Sequence, residues 1–288
     1  MRLAFFTVVY PAAEPFLEDY LRSLAVQNDQ AFEIFLMNDG FIGIEERLSA
    51  LPVSAIVHPA RGTPVQIRKD GIRLAREAGI DMLIFLEADD YCVDSRVLRT
   101  RAAAGQAEIL FYESLLFGDT LTEPVPLLAE HMGRGELSRE VLKEANFLGL
   151  SNTAVRCESM YRVVNELPDD LVAFDWALFT AMTMEGAAFQ FVPGAETHYR
   201  RHAGNIADPL DLSDAQIRRG VAVKARHYAL FCSHGAPYDR LAEAFAELSA
   251  RLDGDAGFRY DYFRAVRENA PPVPLWWEPM RLTEELGL

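Results

Sequence analysis

The stretch Met82-Leu83-Ile84-Phe85-Leu86-Glu87-Ala88-Asp89-Asp90 decides both the fold and the candidate site of this chain. Its apolar first half predicts a strand buried on both faces of a sheet. Carboxylates follow that strand directly, and a strand end holds such side chains in fixed positions. Carboxylates of this kind can bind a divalent cation, but a solvated acidic turn that caps the next helix has the same local pattern.

Strand and helix patterns alternate on both sides of this stretch. Leu3–Val9, residues 32–37 and residues 53–57 have strand patterns, and a helix pattern opens at Pro64. This alternation predicts an α/β fold with a mixed, mostly parallel, Rossmann-like sheet flanked by helices. In such sheets ligands bind beyond the carboxyl ends of the strands.

The segment Asn38-Asp39-Gly40 ends the second strand pattern, so it is expected on the same rim as the acidic stretch. The Asp39 carboxylate can accept a hydrogen bond from a base or a ribose hydroxyl, although the segment is also strong turn chemistry. Arg68 and Lys69 lie on the helix that Pro64 opens. A guanidinium there can contact a diphosphate or a base, and the alternative is a solvated helix face.

Two later segments carry further candidates. Asp175, between Phe174 and Trp176, is a candidate general base for an acceptor hydroxyl, or else a first-turn acid that complements the helix dipole. Asp169 and Asp170 compete for the role of base.

Residues 198–205 form the only dense basic and histidine-bearing stretch. There His202 can ligate a metal or contact phosphate, and Arg200 or Arg201 can neutralise a leaving group. The alternative is an ordinary surface loop.

The composition excludes several classes of protein. Half of the 288 residues are hydrophobic, which suits a buried core, and the formal net charge of −15 disfavours nucleic acid or anionic membranes as partners. No apolar run approaches the length of a membrane span. Three widely spaced cysteines predict no disulfide framework, so a cytoplasmic location is expected. The apolar N-terminus is interpreted as a first strand rather than a signal peptide.

Taken together, these segments resemble the family 2 glycosyltransferases, inverting enzymes with the GT-A fold that use nucleotide-diphospho-sugars. The resemblance extends over about residues 2–206, and the order of the segments is its most specific feature. The segments that carry it are Phe5-Phe6-Thr7-Val8-Val9-Tyr10-Pro11, Asn38-Asp39-Gly40, Ile67-Arg68-Lys69, Leu86-Glu87-Ala88-Asp89-Asp90, Phe174-Asp175-Trp176 and Tyr199-Arg200-Arg201-His202.

The resemblance implies a role for each matching residue. The donor would be a UDP-, GDP- or dTDP-linked sugar, the acceptor a saccharide or another hydroxyl, and the cofactor Mg2+ or Mn2+. Asp175 would be the catalytic base. Asp89 and Asp90 would be metal ligands, and the segment with His202 would close over the donor phosphates; with the metal role that the residues themselves suggest for His202, the predicted ligands are Asp89, Asp90 and His202. The residues of the nucleotide-sugar site would be Thr7, Val9, Tyr10, Asp39, Arg68, Glu87, Ala88, Asp89, Arg200 and Arg201.

The chain departs from the family pattern at several positions. Glu87 and Asn38 stand where the family usually has Asp, Phe41 where it has Ser, and Lys69 where it has Asn. The acidic residue that usually precedes the base is Phe174 here.

The sequence therefore predicts a metal-dependent hexosyltransferase-like enzyme of polysaccharide biosynthesis, with a catalytic domain over 1–206 and a helical appendage over 207–288. One alternative is a non-catalytic nucleotide-sugar-binding or scaffold protein. Another is a nucleotidyltransferase, but the Gly-rich basic loop that it needs after the first strand is replaced by Tyr10-Pro11-Ala12-Ala13-Glu14. The Trp276-Trp277 tail is expected to pack on its own domain, and a homodimer contact or a docking surface for a partner enzyme are the alternatives.

Overall fold

The computed structural model describes residues 1–118, 120–132 and 137–288. Contacts between Cα atoms divide the chain into two units, which we call the sheet unit and the helical unit. The sheet unit contains Met1–Ala129, Leu148–Asp170 and Phe174–His202. The helical unit contains Glu130–Phe147, Leu171–Ala173 and Ala203–Leu288. The boundary at residue 206 stays a prediction.

The strands of the described chain all belong to the sheet unit. They are β1 (Leu3–Val9), β2 (Glu33–Asn38), β3 (Ser54–Pro59), β4 (Met82–Phe85), β5 (Tyr91–Cys92), β6 (Ile109–Phe111), β7 (Ser114–Phe117), β8 (Val125–Pro126), β9 (Thr153–Arg156), β10 (Phe189–Phe191) and β11 (Thr197–Arg200).

The α-helices of the described chain flank these strands or follow them. They are α1 (Leu17–Ala25), α2 (Ile44–Ser49), α3 (Pro64–Glu77), α4 (Arg96–Ala103), α5 (Ala129–Met132), α6 (Arg139–Glu144), α7 (Cys157–Val164), α8 (Phe174–Met184), α9 (Asp214–Phe231), α10 (Tyr238–Gly254) and α11 (Ala256–Asn269).

The larger sheet is built around β1, whose side chains are all buried, as expected for a strand covered on both faces. Within the described residues its order is β10-β6-β9-β4-β1-β2-β3. β1, β2, β3 and β4 are mutually parallel, whereas β9 runs antiparallel to both of its neighbours. The predicted mixed, mostly parallel sheet is confirmed. Because β2 and β4 run parallel to β1, the segments that follow them meet at one rim.

The apolar pattern of residues 108–116 predicts a single strand, and this prediction is wrong in one respect. The chain leaves the larger sheet after Phe111, where the Tyr112 N–H donates to the Asn152 carbonyl at 2.9 Å. It then continues as β7 in a smaller sheet of order β5-β11-β7-β8. Two short strands in different sheets had the apolar pattern of one long strand.

Helix α3 approaches the larger sheet closely at Gly71. A Cβ atom at this position would lie 2.4 Å from the Phe6 ring on β1, which is too short for any side chain. The helix also begins with a capping box, in which Thr63 and Gln66 each bond the other's backbone N–H. This packing fixes the part of α3 that carries Arg68 and Lys69.

The helical unit contains the long C-terminal helices. The pair Ser213-Asp214 is typical of a helix start, and α9 begins there, with Ser213 Oγ accepting from the Gln216 N–H at 3.3 Å. Both indoles of the Trp276-Trp277 tail are buried, and the Trp276 carbonyl accepts from the Asn146 N–H at 3.0 Å. Across the described residues, no helix combines the length and the apolar character needed to cross a membrane.

Candidate active site

The acidic loop Glu87-Ala88-Asp89-Asp90 leaves β4 at the rim and is held by backbone hydrogen bonds. The Leu86 N–H donates to the Phe6 carbonyl at 3.1 Å, which extends the pairing of β4 with β1. The Glu87 N–H donates to Ser151 Oγ at 3.0 Å, and the Asp90 N–H turns back to the Glu87 carbonyl at 3.1 Å. The loop is thus a fixed turn rather than a solvated one.

Asp89 and His202 form a close pair at this loop. His202 Nε2 lies 3.0 Å from Asp89 Oδ2, and the two side chains are 22% and 18% exposed. The Phe16 ring stacks on the imidazole, with 4.6 Å between the ring centroids. The fold therefore joins residues that are 113 positions apart in the sequence, and both remain partly accessible.

The two side chains of this pair could hold a divalent cation together. In the structure their 3.0 Å separation is that of a hydrogen bond, and the same carboxylate oxygen and ring nitrogen are donor atoms that Mn2+ and Mg2+ sites use. Mg2+ sites commonly use one or two protein ligands and complete their shell with substrate phosphates and water. Within the described residues, no group of three or more His, Cys, Asp or Glu side chains could hold a metal on its own.

Asp90, the next residue after Asp89, is buried, with only 2% of its surface exposed. Its Oδ1 accepts from the Arg200 N–H at 2.8 Å, and its carboxyl also bonds the Ser151 side chain. Burial, and then the charge of Asp89, raise the pKa of Asp90 well above its usual range. Through these contacts Asp90 ties the acidic loop to β11.

The Arg200 guanidinium is enclosed beside the loop. Its Nε donates to the Asp89 carbonyl at 2.9 Å and its Nη2 donates to Asp19 at 2.6 Å. The guanidinium also lies 4.6 Å from the centre of the Phe117 ring, a cation–π distance. Arg201 faces elsewhere: its Nη1 donates to Thr120 Oγ1 at 2.7 Å. The predicted phosphate contacts of Arg200 and Arg201 stay predictions.

An ion pair connects α3 to the first acidic position. Arg68 Nη2 lies 2.8 Å from Glu87 Oε2. Burial raises the pKa of Glu87, and the nearby Arg68 opposes that rise. Burial and the charge of Asp89 also raise the pKa of the neighbouring Tyr10 to about 12, so its phenol keeps its proton at neutral pH. The longer side chain of Glu87 is what reaches Arg68.

The predicted nucleotide side of the site lies at the ends of β1 and β2. The Asp39 N–H donates to the Val9 carbonyl at 2.8 Å, which holds Asp39 at the rim. Asp39 is half-buried, and no other described side chain bonds its carboxylate. The side chains of Thr7, Val9 and Ala88 are buried, so only their backbone could face a ligand.

Asp175 lies in the first turn of α8 and is half-buried, with Oδ1 accepting from the Trp176 N–H at 2.9 Å. Asp169, the competing candidate for the base, is bound to α3 instead. Its Oδ1 lies 2.7 Å from Lys69 Nζ, and its Oδ2 accepts from Gln66 Nε2 at 3.0 Å. The Lys69 contact lowers the pKa of Asp169, which makes it a poor base.

Solved structures share this fold. TarS from S. aureus in complex with UDP superposes with a TM-score of 0.59 at 13% identity, over 92% of this chain and 75% of that one. TarS in complex with UDP-GlcNAc gives 0.58 at 14% identity, over 92% of this chain and 79% of that one. The mannosyltransferase PcManGT from Pyrobaculum calidifontis, in complex with GDP-Man and Mn2+, gives 0.58 at 13%, over 94% of this chain and 81% of that one.

At these identities the likeness establishes the fold: a mixed α/β sheet flanked by helices, as predicted. No protein-family model matches the chain, and no curated protein matches it either.

Sequence reasoning missed Ser151 and Asp19 as residues of this site. Ser151 lies in an unpatterned segment before β9, and Asp19 has the position of an ordinary polar residue of α1. Both contact the site only through tertiary packing, so no local signal was available to find them.

Proposed function

We propose that this chain is an inverting glycosyltransferase that transfers a sugar from a nucleoside-diphosphate donor to an acceptor hydroxyl with the help of a divalent metal. The observation that carries the proposal is the Asp89–His202 pair at 3.0 Å, on the same rim as the Asp39 carboxylate. The sheet is one that solved structures with bound UDP, UDP-GlcNAc or GDP-Man share.

The donor would lie along the rim. Asp39, whose carboxylate is free of described side-chain partners, would accept a hydrogen bond from the base, and the backbone of Thr7, Val9 and Tyr10 would line the base pocket. Arg68, held by Glu87, would face the base or the diphosphate. The bases of UDP, GDP and dTDP all offer a ring N–H to Asp39, so each remains a candidate donor base.

Asp89 and His202 would hold the Mg2+ or Mn2+ on the diphosphate, with Asp90 behind them. When bound, the ion would neutralise negative charge on the leaving diphosphate. Asp89 supplies the charged oxygen ligand that these hard cations prefer. Asp90 would act through the backbone of Arg200 and through Ser151 rather than as an exposed ligand.

Asp175 would act as the general base. Its carboxylate would take the proton of the acceptor hydroxyl while the acceptor oxygen forms a bond to the anomeric carbon. The bond from that carbon to the diphosphate oxygen breaks on the opposite face, and its electron pair leaves with the diphosphate. Attack opposite the leaving group inverts the anomeric configuration. A saccharide acceptor would fit a role in polysaccharide biosynthesis, and the free cysteines would fit the cytoplasm.

Nucleotide binding is the first expected result. We expect one of UDP, GDP or dTDP, at about 100 times its Kd with Mn2+, to stabilise the protein by ~2.7 kcal/mol, and CDP, whose cytosine ring offers Asp39 no N–H, to have less effect. That stabilisation corresponds to a rise in Tm of roughly 4–5 °C. The measurement is thermal unfolding with each nucleotide in Mn2+ or in EDTA, and the matching nucleoside monophosphate is the control.

If no nucleotide raises the Tm, the proposed donor site is wrong. If a nucleotide raises the Tm but its sugar donors are never hydrolysed or transferred, the non-catalytic binding protein becomes the better interpretation.

A further inference from the structure

A fully buried arginine begins α4. Arg96 is 0% exposed, its Nε donates to the Ala195 carbonyl at 2.7 Å, and its Nη2 donates to Thr197 Oγ1. Its guanidinium also lies 3.9 Å from the centre of the Tyr112 ring. Burying a guanidinium costs several kcal/mol unless specific contacts offset the loss of hydration, so this geometry strongly favours one arrangement of the start of β11.

The Thr197 hydroxyl links Arg96 to Ser151, and the donor and acceptor of each hydrogen bond are fixed. A guanidinium can only donate hydrogen bonds, so Thr197 Oγ1 is the acceptor in its contact with Arg96. The single hydroxyl hydrogen is therefore left for the Ser151 carbonyl, which lies 2.6 Å away. Thr197 is fully buried and Ser151 is 5% exposed, so water offers these groups little competition.

Ser151 holds both ends of the acidic loop. Its Oγ accepts from the Glu87 N–H at 3.0 Å, and its side chain also bonds the Asp90 carboxyl. One serine thus fixes the backbone before Asp89 and the carboxyl after it. The backbone of that serine is in turn held by Thr197 and, through Thr197, by Arg96.

We propose that Arg96, Thr197 and Ser151 form a buried relay that positions the acidic loop, and that they are positioning residues of the reaction. None of them is assigned a contact with the donor. The proposal rests on the proposed function, because the loop matters only if Asp89 acts on the donor diphosphate. Substitution of residues that hold ligand residues in place typically lowers metal affinity or activity by about 10–100-fold.

The decisive variant is Thr197→Val, which keeps the shape of the side chain and its β propensity but removes the hydroxyl. We expect kcat for donor hydrolysis to fall about 10-fold or more, while the donor KM changes less than ~3-fold. The donor KM should change little because the proposed base contacts, at the ends of β1 and β2, lie outside the relay. Thr197→Ser, which keeps the hydroxyl, should restore most of the rate, and Ser151→Ala should reproduce the loss.

Thr183→Val is the matched control. Thr183 is a buried threonine on α8 whose hydroxyl donates to the Thr180 carbonyl of its own helix at 2.9 Å. We expect the Thr183→Val variant to lose about as much stability as Thr197→Val but to keep the wild-type kcat. A wild-type kcat in Thr197→Val, or equal losses in Thr197→Val and Thr183→Val, would overturn the relay.

A second readout does not depend on activity. The Glu87 amide is protected by Ser151 Oγ, so hydrogen exchange over residues 86–91 should become ~10-fold faster in Ser151→Ala and in Thr197→Val, but not in Thr183→Val. Unchanged exchange overturns the relay. If the wild-type protein turns over no donor while exchange responds as expected, the proposed function has failed and the relay stands as a structural feature of the loop.

Discussion

Replacing Asp89 by Asn is expected to reduce donor turnover at least 100-fold. The amide keeps the shape of the side chain but loses the negative charge that suits a divalent cation. The loss corresponds to several kcal/mol of transition-state stabilisation. The measurement is release of nucleoside diphosphate from the donor as a function of Mn2+ concentration.

Two further substitutions test whether the loss of turnover is specific to the carboxylate of Asp89. Asp70→Asn removes a 44% exposed carboxylate on α3 that pairs with Arg73 of the same helix, and it should keep full activity. Asp90→Asn should lower kcat less and leave the Mn2+ requirement nearly unchanged, because an amide oxygen can still accept from the Arg200 N–H. The assignment of Asp89 fails if Asp89→Asn retains more than a tenth of wild-type turnover.

Asp175→Asn is expected to lower sugar transfer by about 100- to 10,000-fold without changing nucleotide affinity. The amide cannot take a proton from the acceptor hydroxyl, and general-base catalysis accounts for a factor of this size. Its oxygen can still accept from the Trp176 N–H, so the first turn of α8 should persist. The measurements are product formation with an acceptor and nucleotide affinity by calorimetry.

The matched control for this substitution is Asp169→Asn. That carboxylate is already engaged by Lys69 and Gln66, so its loss should affect stability more than the chemical step. Transfer at the wild-type rate in Asp175→Asn, or an equal loss of kcat in both variants, would remove Asp175 from the role of base.

The sheet and the rim could be predicted from sequence because both depend on strong periodic signals. Apolar runs identified β1, β2 and β4, and the rule for parallel strands placed Asp39 and the acidic loop on one edge. The run over 108–116 misled the prediction, since apolar residues continue through a change of sheet. Periodicity does not record where a backbone switches partners.

The contacts around the acidic loop were less predictable. Ser151 bonds the loop only because β9 enters the sheet beside β4, and the Lys69–Asp169 pair joins residues 100 positions apart. The sequence contains each of these residues but not their proximity. The same holds for Glu87. The extra methylene of its side chain lets it reach Arg68, and only the structure shows that Arg68 lies opposite it.

The position of Arg200 also has a consequence for folding kinetics. Its backbone and side chain join segments 110 and 181 residues apart, at Asp90 and Asp19. Contacts of such long sequence separation form slowly, because much chain entropy is lost before they contribute any energy. We therefore expect helical circular dichroism to return early during refolding and donor turnover to return last, so that the delay between the two signals measures the closing of this site.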